Sequence, residues 1–321
     1  MVDAYISTTT LSNTVTAALD QYIRSALRHQ PMLRGLADVR PKMPSHPGSS
    51  ITLWKHADLA PATTPLSELT DPDYVAIPNP TSVTLTPAEY GSATLSSVKV
   101  GVTSFADVDS YQRNQVLWNM RDTLDALVST AISGGTNVKY ATGGASTPTA
   151  TNTVANEDVI ATADIRHIVT KLRTAAAQGR QGDLYWCGIH PDVSHDLRAE
   201  VGSGAFVDLH QYAAPGVFWP GNIGVYQGAF FVESARMKTA ADGVDIDGAG
   251  SGTTLTTVYR TIFMGREALA EGVLVEPESR IGVVVDRLNR FQPLGWYGYL
   301  GWARFREEAL WRLESGSSMN A

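Results

Sequence analysis

One cysteine in 321 residues excludes an internal disulfide. Cys187 lies in the apolar stretch Leu184-Tyr-Trp-Cys-Gly-Ile189 and reads as a core residue of a strand. No apolar run approaches the ~18 residues that a membrane-spanning helix needs, so no membrane partner is expected. The opening Met1-Val-Asp-Ala-Tyr-Ile-Ser-Thr-Thr-Thr lacks the basic start and apolar block of a signal peptide, which points to synthesis and folding in the cytoplasm. Lys and Arg number 25 against 32 Asp and Glu, for a net charge of −7. A dedicated nucleic-acid binder needs concentrated cations to neutralise phosphates, and this balance argues against one.

Motifs for catalysis and cofactors are equally scarce. Gly202-Ser203-Gly204 is not a Gly-x-Ser-x-Gly nucleophile elbow, and no phosphate-binding Gly-x-x-x-x-Gly-Lys occurs. Gly248, Gly250 and Gly252 lack a strand-to-helix context for a dinucleotide. His190 and His195 sit five apart and would face different sides of a helix, unlike an i, i+4 zinc pair; Pro191 and Asp192 read better as a helix start. Asp242, Asp245, Asp247 and Gly248 resemble the opening of a calcium loop, but no Glu closes it, and an exposed acidic loop is the preferred reading. The expectation is a protein that is not an enzyme, with no cofactor and no metal centre.

The most informative absence is local. Between Lys55 and Lys99 there is no Lys or Arg, while Asp58, Glu68, Asp71, Asp73 and Glu89 fall there with six prolines. Ile51 to Trp54 leads out of this segment; Ser82 to Thr86 and Ala93 to Val100 lead back, alternating apolar residues with Thr or Ser as half-buried strands do. A two-limbed β arm is marginal alone in water, so its sense is clearest if it lies on another copy of the chain. Just before it, residues 13–42 hold Arg24, Arg28, Arg34, Arg40 and Lys42 against Asp20 and Asp38, and opposite charge in adjacent segments can steer one subunit onto the next. The expected subunit interface comprises Arg24, Arg28, Arg34 and Arg40 on the basic side. On the other side stand Trp54, Asp58, Leu66, Glu68, Asp71, Asp73 and Tyr74.

Periodicity supplies the rest. An amphipathic helix is predicted over Val15 to Leu27, followed by a proline-stiffened linker, Arg40 to Gly48. The longest helical signal runs from Phe105 to Ser133, capped by Ser104 and closed by Gly134-Gly135, with Leu117, Met120, Leu124, Leu127, Val128 and Ala131 as its buried stripe. Residues 134–153 read as a flexible loop or mobile hairpin. A further helix is predicted from Glu157 to Gln178, then a buried strand at Leu184 to Ile189 and a short helix from Pro191. Strands follow at Ile223 to Gln227, Phe230 to Glu233 and Leu255 to Met264, a helix fragment at Arg266 to Glu271, and strands at Ile281 to Arg287 and Trp296 to Phe305. The aromatic residues Trp296, Tyr297, Tyr299, Trp302, Phe305 and Trp311 read as core.

This order of parts resembles the tailed-bacteriophage major capsid proteins of the Hong Kong 97 type. So do the stretches Tyr5-Ile-Ser-Thr-Thr-Thr-Leu-Ser-Asn13, Pro47-Gly-Ser-Ser-Ile-Thr-Leu53, Ala62-Thr-Thr-Pro-Leu-Ser-Glu68 and Ile189-His-Pro-Asp-Val-Ser-His-Asp-Leu-Arg198. The resemblance implies an α+β fold with an N-terminal arm (1–47), an extended β loop (48–102) and a peripheral domain with a spine helix (103–155). An axial domain (156–275) and a return to the peripheral domain (276–321) complete it. It also implies self-assembly into hexamers and pentamers of an icosahedral shell around double-stranded DNA contacted nonspecifically. Its further implied partners are a separate scaffolding protein, a portal and a maturation protease. Lys55 lies in the segment where some relatives form a Lys–Asn isopeptide bond, but no partner Asn or catalytic Glu is identifiable. An encapsulin-like protein compartment and a cytosolic α/β hydrolase remain as alternatives.

Overall fold

The computed structural model describes residues 31–41, 48–66, 68–69, 71, 73–104, 108–144, 147–200, 222–240, 257–282, 288 and 290–320. The helix expected at 15–27, the Gly202-Ser203-Gly204 stretch and the Asp242 to Gly252 loop lie outside the described residues.

Two sheets share one long helix. The larger has seven strands: β4 (Val138–Tyr140), β12 (Leu310–Ser315), β9 (Val258–Met264), β5 (Tyr185–Ile189), β7 (Ala229–Glu233) and β6 (Asn222–Tyr226) in that spatial order, with β8 (Thr239–Ala240) also on β9. Pairing is mixed, parallel for β4 with β12 and β5 with β7, antiparallel elsewhere. Every residue of β5 is buried, as a strand covered on both faces requires. On one face Tyr185, Cys187, Ile189, Phe231 and Phe263 pack under helix α3 (Thr162–Thr174) through Ile165, Ile168 and Leu172. On the other, Trp186, Phe230, Ile262 and Met264 meet Val128 and Ile132 of helix α2 (Val108–Ser133).

The smaller sheet has the order β10 (Leu269–Ile281), β11 (Phe291–Arg304), β3 (Ala88–Ser97), all antiparallel. The α2 helix, about 39 Å long at ~1.5 Å per residue, spans both sheets. Near its middle Asn119 Oδ1 accepts from the indole of buried Trp296 on β11, and Gln112, nearer its start, donates to Thr94 on β3. Its C-terminal turns lie on the larger sheet, where Asp122 pairs with Arg236. Helix α4 (Pro191–Ala199) opens on Pro191, with His190 as its cap accepting from the Asp192 amide.

Several expectations need correction. The segment 93–100 is not a limb of the excursion: β3 begins at Ala88 and pairs with β11, so the expected β loop ending at 102 includes a strand of the body. β3 stops at Ser97, whose hydroxyl accepts from the Val100 amide and caps helix α1 (Val98–Thr103), overriding the strand preference of three valines. The fragment 266–271 is not helical; Glu267 turns the chain at φ 56° and Leu269 starts β10, because pairing with β11 outweighs helix propensity. Leu117, expected in the buried stripe of α2, is exposed, and Val116 is buried instead. Sheet membership also cuts across the expected division at 275/276, which falls inside β10, while β4 and β12 join the larger sheet.

Candidate assembly surfaces

Two segments that precede the body behave in opposite ways. The first is a root at residues 31–41. Its Leu33-Arg-Gly-Leu36 sequence makes a single 3-10 turn whose two leucines are buried in the core beneath α2. The buried Asp125 carboxylate on α2 accepts from the Met32 and Leu33 amides at 3.1 and 2.5 Å, satisfying donors at the start of that turn. Arg180 closes the other end by donating to Gly35 O, Leu36 O and Asp38 Oδ2 at 2.8–2.9 Å. Burial lowers the Arg180 pKa and Asp38 works against that shift.

The root then runs beside β10. Val39 donates to Leu269 O and accepts from the Glu271 amide, making a parallel bridge at Ala270. This places Arg34 and Arg40 around the fully buried Glu271 side chain: Arg34 Nε lies 2.7 Å from Oε1 and Arg40 Nε 3.1 Å from Oε2. Arg34 also reaches Glu276 at 2.9 Å. Burial works against the Arg34 charge, yet bonds to Glu276 and Glu271 more than offset it and its pKa is raised. Two of the arginines expected to seat a neighbour's acids are thus engaged by the chain's own glutamates, while Arg24 and Arg28 lie outside the described residues.

The second segment is the excursion. Strand β1 (Ile51–Lys55) pairs antiparallel with β2 (Thr81–Leu85), Ile51 opposite Leu85 and Lys55 opposite Thr81. Leu85 is buried against the body, whereas Trp54, opposite Ser82, is exposed. At the hairpin's end Lys55 Nζ donates to Glu308 at 2.6 Å. The described residues between 56 and 80 form no helix or strand, and large apolar side chains stand in solvent there: Leu66 is 76% exposed, Leu69 95%, Tyr74 100%, Val75 75% and Ile77 79%. Asp58, Glu68, Asp71 and Asp73 are exposed beside them. Large apolar side chains gathered this exposed in one segment suit a surface that another molecule covers.

The His and Asp residues weighed in the sequence around the strand-to-helix turn at 190–196 take local structural positions. His190 stacks on Tyr259 with 4.8 Å between ring centroids, burial lowers its pKa, and it serves as a helix cap. His195 points away to Asp196. Among the described residues no group of three or more His, Cys, Asp or Glu is placed to hold a metal. Cys187 is fully buried, which pushes its thiol pKa well up.

A model of the phage capsid protein family matches residues 97–318. The chain belongs to the phage capsid protein family. Its fold is shared with the capsid of Ralstonia phage GP4 at TM-score 0.69 and 13% identity, covering 99% of this chain and 98% of that one. The acid-stable capsid of Helicobacter pylori bacteriophage KHP30 gives 0.68 and 13%, covering 98% of each chain, and the mature capsid of bacteriophage PhiM1 gives 0.68 and 14%, covering 98% and 97%. No curated protein matches it in sequence. The Hong Kong 97-like architecture and the family together make it a major capsid protein of an icosahedral phage head. Of the readings left open by the sequence, the phage capsid is the one supported. In this capsid protein the family match begins at the last residue of β3, so the root and excursion lie outside it.

The root clamp escaped the sequence reading. Its one available signal was Asp125, a charged residue inside the buried stripe of α2, where periodicity calls for an apolar side chain.

Proposed function

We propose that this capsid protein assembles as hexamers and pentamers of a closed shell in the host cytoplasm, the excursion of each copy lying across its neighbour, around nonspecifically held double-stranded DNA. The larger sheet with α3 and α4 would form the axial domain, and the three-stranded sheet with α2 the peripheral domain. A separate scaffolding protein, a portal and a maturation protease would act on it during assembly. The observation that carries this reading is the excursion between 56 and 80, where Leu66, Leu69, Tyr74, Val75 and Ile77 stand uncovered by their own chain. An arm at one edge that fits a different surface makes a heterologous contact, which either closes into a ring or polymerises.

Deletion is the direct test. Because Lys55 and Thr81 face each other, a two-residue Asn-Gly turn can replace residues 56–80 without disturbing β1 or β2. The shortened chain should remain a folded soluble monomer and form no shells by electron microscopy. Normal particles would show that the excursion is not the intersubunit arm.

A further inference from the structure

The start of helix α4 holds a titratable ring in a position that suits only one of its protonation states. His190 is half-buried, and its Nδ1 accepts the Asp192 amide at 3.3 Å as the cap of the helix. An amide can only donate, so Nδ1 carries no hydrogen and the proton of the neutral ring sits on Nε2. A second proton on the ring must therefore go to Nδ1. The acceptor then becomes a donor, and an amide in the first turn of α4 loses its partner.

A replacement partner stands at the same distance. Asp192 Oδ2 lies 3.3 Å from Nδ1, and in the structure it accepts from the Tyr259 hydroxyl on β9 at 2.6 Å. The imidazole also stacks on the Tyr259 ring, so phenol, carboxylate and imidazole form one closed set. Two carboxylates favour a proton on His190: Asp192 on α4, and Glu233 at the end of β7, which is itself held by Ser194 and Arg198. His195 is turned to Asp196 instead. Burial outweighs both carboxylates and lowers the His190 pKa. A histidine shifted in that direction contributes its cap in full above the ordinary value of about 6.5, and the contribution is lost as the pH falls from there towards the folded value.

The C-terminal end of the chain rests on the same helix. Buried Ser317 donates its hydroxyl to Asp192 O at 3.3 Å, and the Ser318 amide donates to Asp196 Oδ2 at 3.1 Å. The Ser318 hydroxyl bonds the other oxygen of Asp196, and the Met319 amide closes back on Ser317. These bonds tie residues 317–319 to the first two turns of α4, so fraying of its first turn reaches them.

We propose that His190 is an acid-operated latch on the C-terminal end: a proton taken up at Nδ1 moves the ring from the Asp192 amide to the Asp192 carboxylate, frays the start of α4 and loosens residues 317–319. The hydrogen bond that breaks runs from the amide to Nδ1, and the one that forms runs from Nδ1 to Oδ2. The Tyr259 hydroxyl then shares its acceptor with an imidazolium.

The test is hydrogen exchange of the full-length, unassembled chain at about pH 7.5 and about pH 5.5, either side of the ordinary histidine value, corrected for the intrinsic rate and read by mass spectrometry. Peptides covering 190–194 and 317–319 should lose protection about five- to tenfold at the lower pH, while those of α3 keep theirs. His190→Asn retains an acceptor at the cap but takes up no proton, and should abolish the pH effect with every surrounding carboxylate in place. An equal loss in that variant would assign the effect to Asp192, Asp196 or Glu233 and overturn the latch, as would unchanged protection in the native chain. Should the variant fail to fold, ring-nitrogen chemical shifts of the native chain decide. Nδ1 should be bare at neutral pH and gain its proton in step with the loss of protection, and an Nδ1 already protonated at neutral pH would overturn the proposal.

Discussion

The root and the excursion follow one another in sequence, both precede the body, and both mix apolar with charged residues. They differ in where those groups find partners. In the root, Leu33 and Leu36 are buried, and Arg34, Arg40 and Asp38 meet partners within 3.1 Å. In the excursion five large apolar side chains are at least 75% exposed. A segment satisfied in its own chain contributes to the stability of the monomer. One left unsatisfied contributes only once a second surface covers it, so the two should fail differently when mutated.

The largest effect should come from removing the excursion. With residues 56–80 replaced by Asn-Gly, assembly should vanish while the urea midpoint of the monomer stays unchanged. A large fall in that midpoint would mean that the excursion also supports its own chain.

Next in size is the double change Arg34→Met with Arg40→Met. It leaves the Glu271 carboxylate, whose side chain is 0% exposed, without either cation. Removing the partners of a buried charge costs about 3–5 kcal/mol, which urea unfolding of the monomer would measure. A value near zero would show that the root does not stabilise the body.

Asp125→Ala strips the acceptor from two amides at the start of the buried turn. The expected loss is about 1–3 kcal/mol, with amide exchange of Met32 and Leu33 accelerated. Unchanged exchange would break the assignment of Asp125 as the clamp.

The Lys55–Glu308 pair, where the excursion meets the body, should matter less. Its hydrogen bond from Lys55 lowers the Glu308 pKa below the ordinary carboxylate value. A depressed acid stabilises the fold above its unfolded pKa, and that contribution fades as pH falls through the folded value. Because the Glu308 side chain is 56% exposed, solvent and salt limit the pair to at most about 1 kcal/mol. Lys55→Met should therefore lower stability slightly at neutral pH in low salt, and not at all well below pH 4. Smallest for the monomer is Tyr74→Ala, which should shift stability by less than ~0.5 kcal/mol, since the ring touches nothing in its own chain. The same change should weaken particles, and equal effects on both would erase the distinction between root and excursion.

Much of this was legible in the sequence, and the limits have a physical pattern. Local pattern marked α3, whose apolar residues recur at the spacing of the face it buries, and β5, a short apolar run buried on both faces. It marked α2 as a helix too, although the buried face of that helix also takes Asp125, Ser129 and Ser133. Composition alone singled out residues 56–98 as a stretch without Lys or Arg, but not that its last part, β3 from Ala88, belongs to the body. The tertiary structure decided what no local pattern carries. It placed β3 with β11, partners some two hundred residues away, and drew the 266–271 segment into β10 against its helical composition. It also turned Arg34 inward to Glu271, 237 positions further on, where sequence suggested an outward-facing cation. A charge in a sequence has no address until folding brings a partner within about 3 Å, and a buried carboxylate attracts the nearest guanidinium of its own chain before any neighbour can compete.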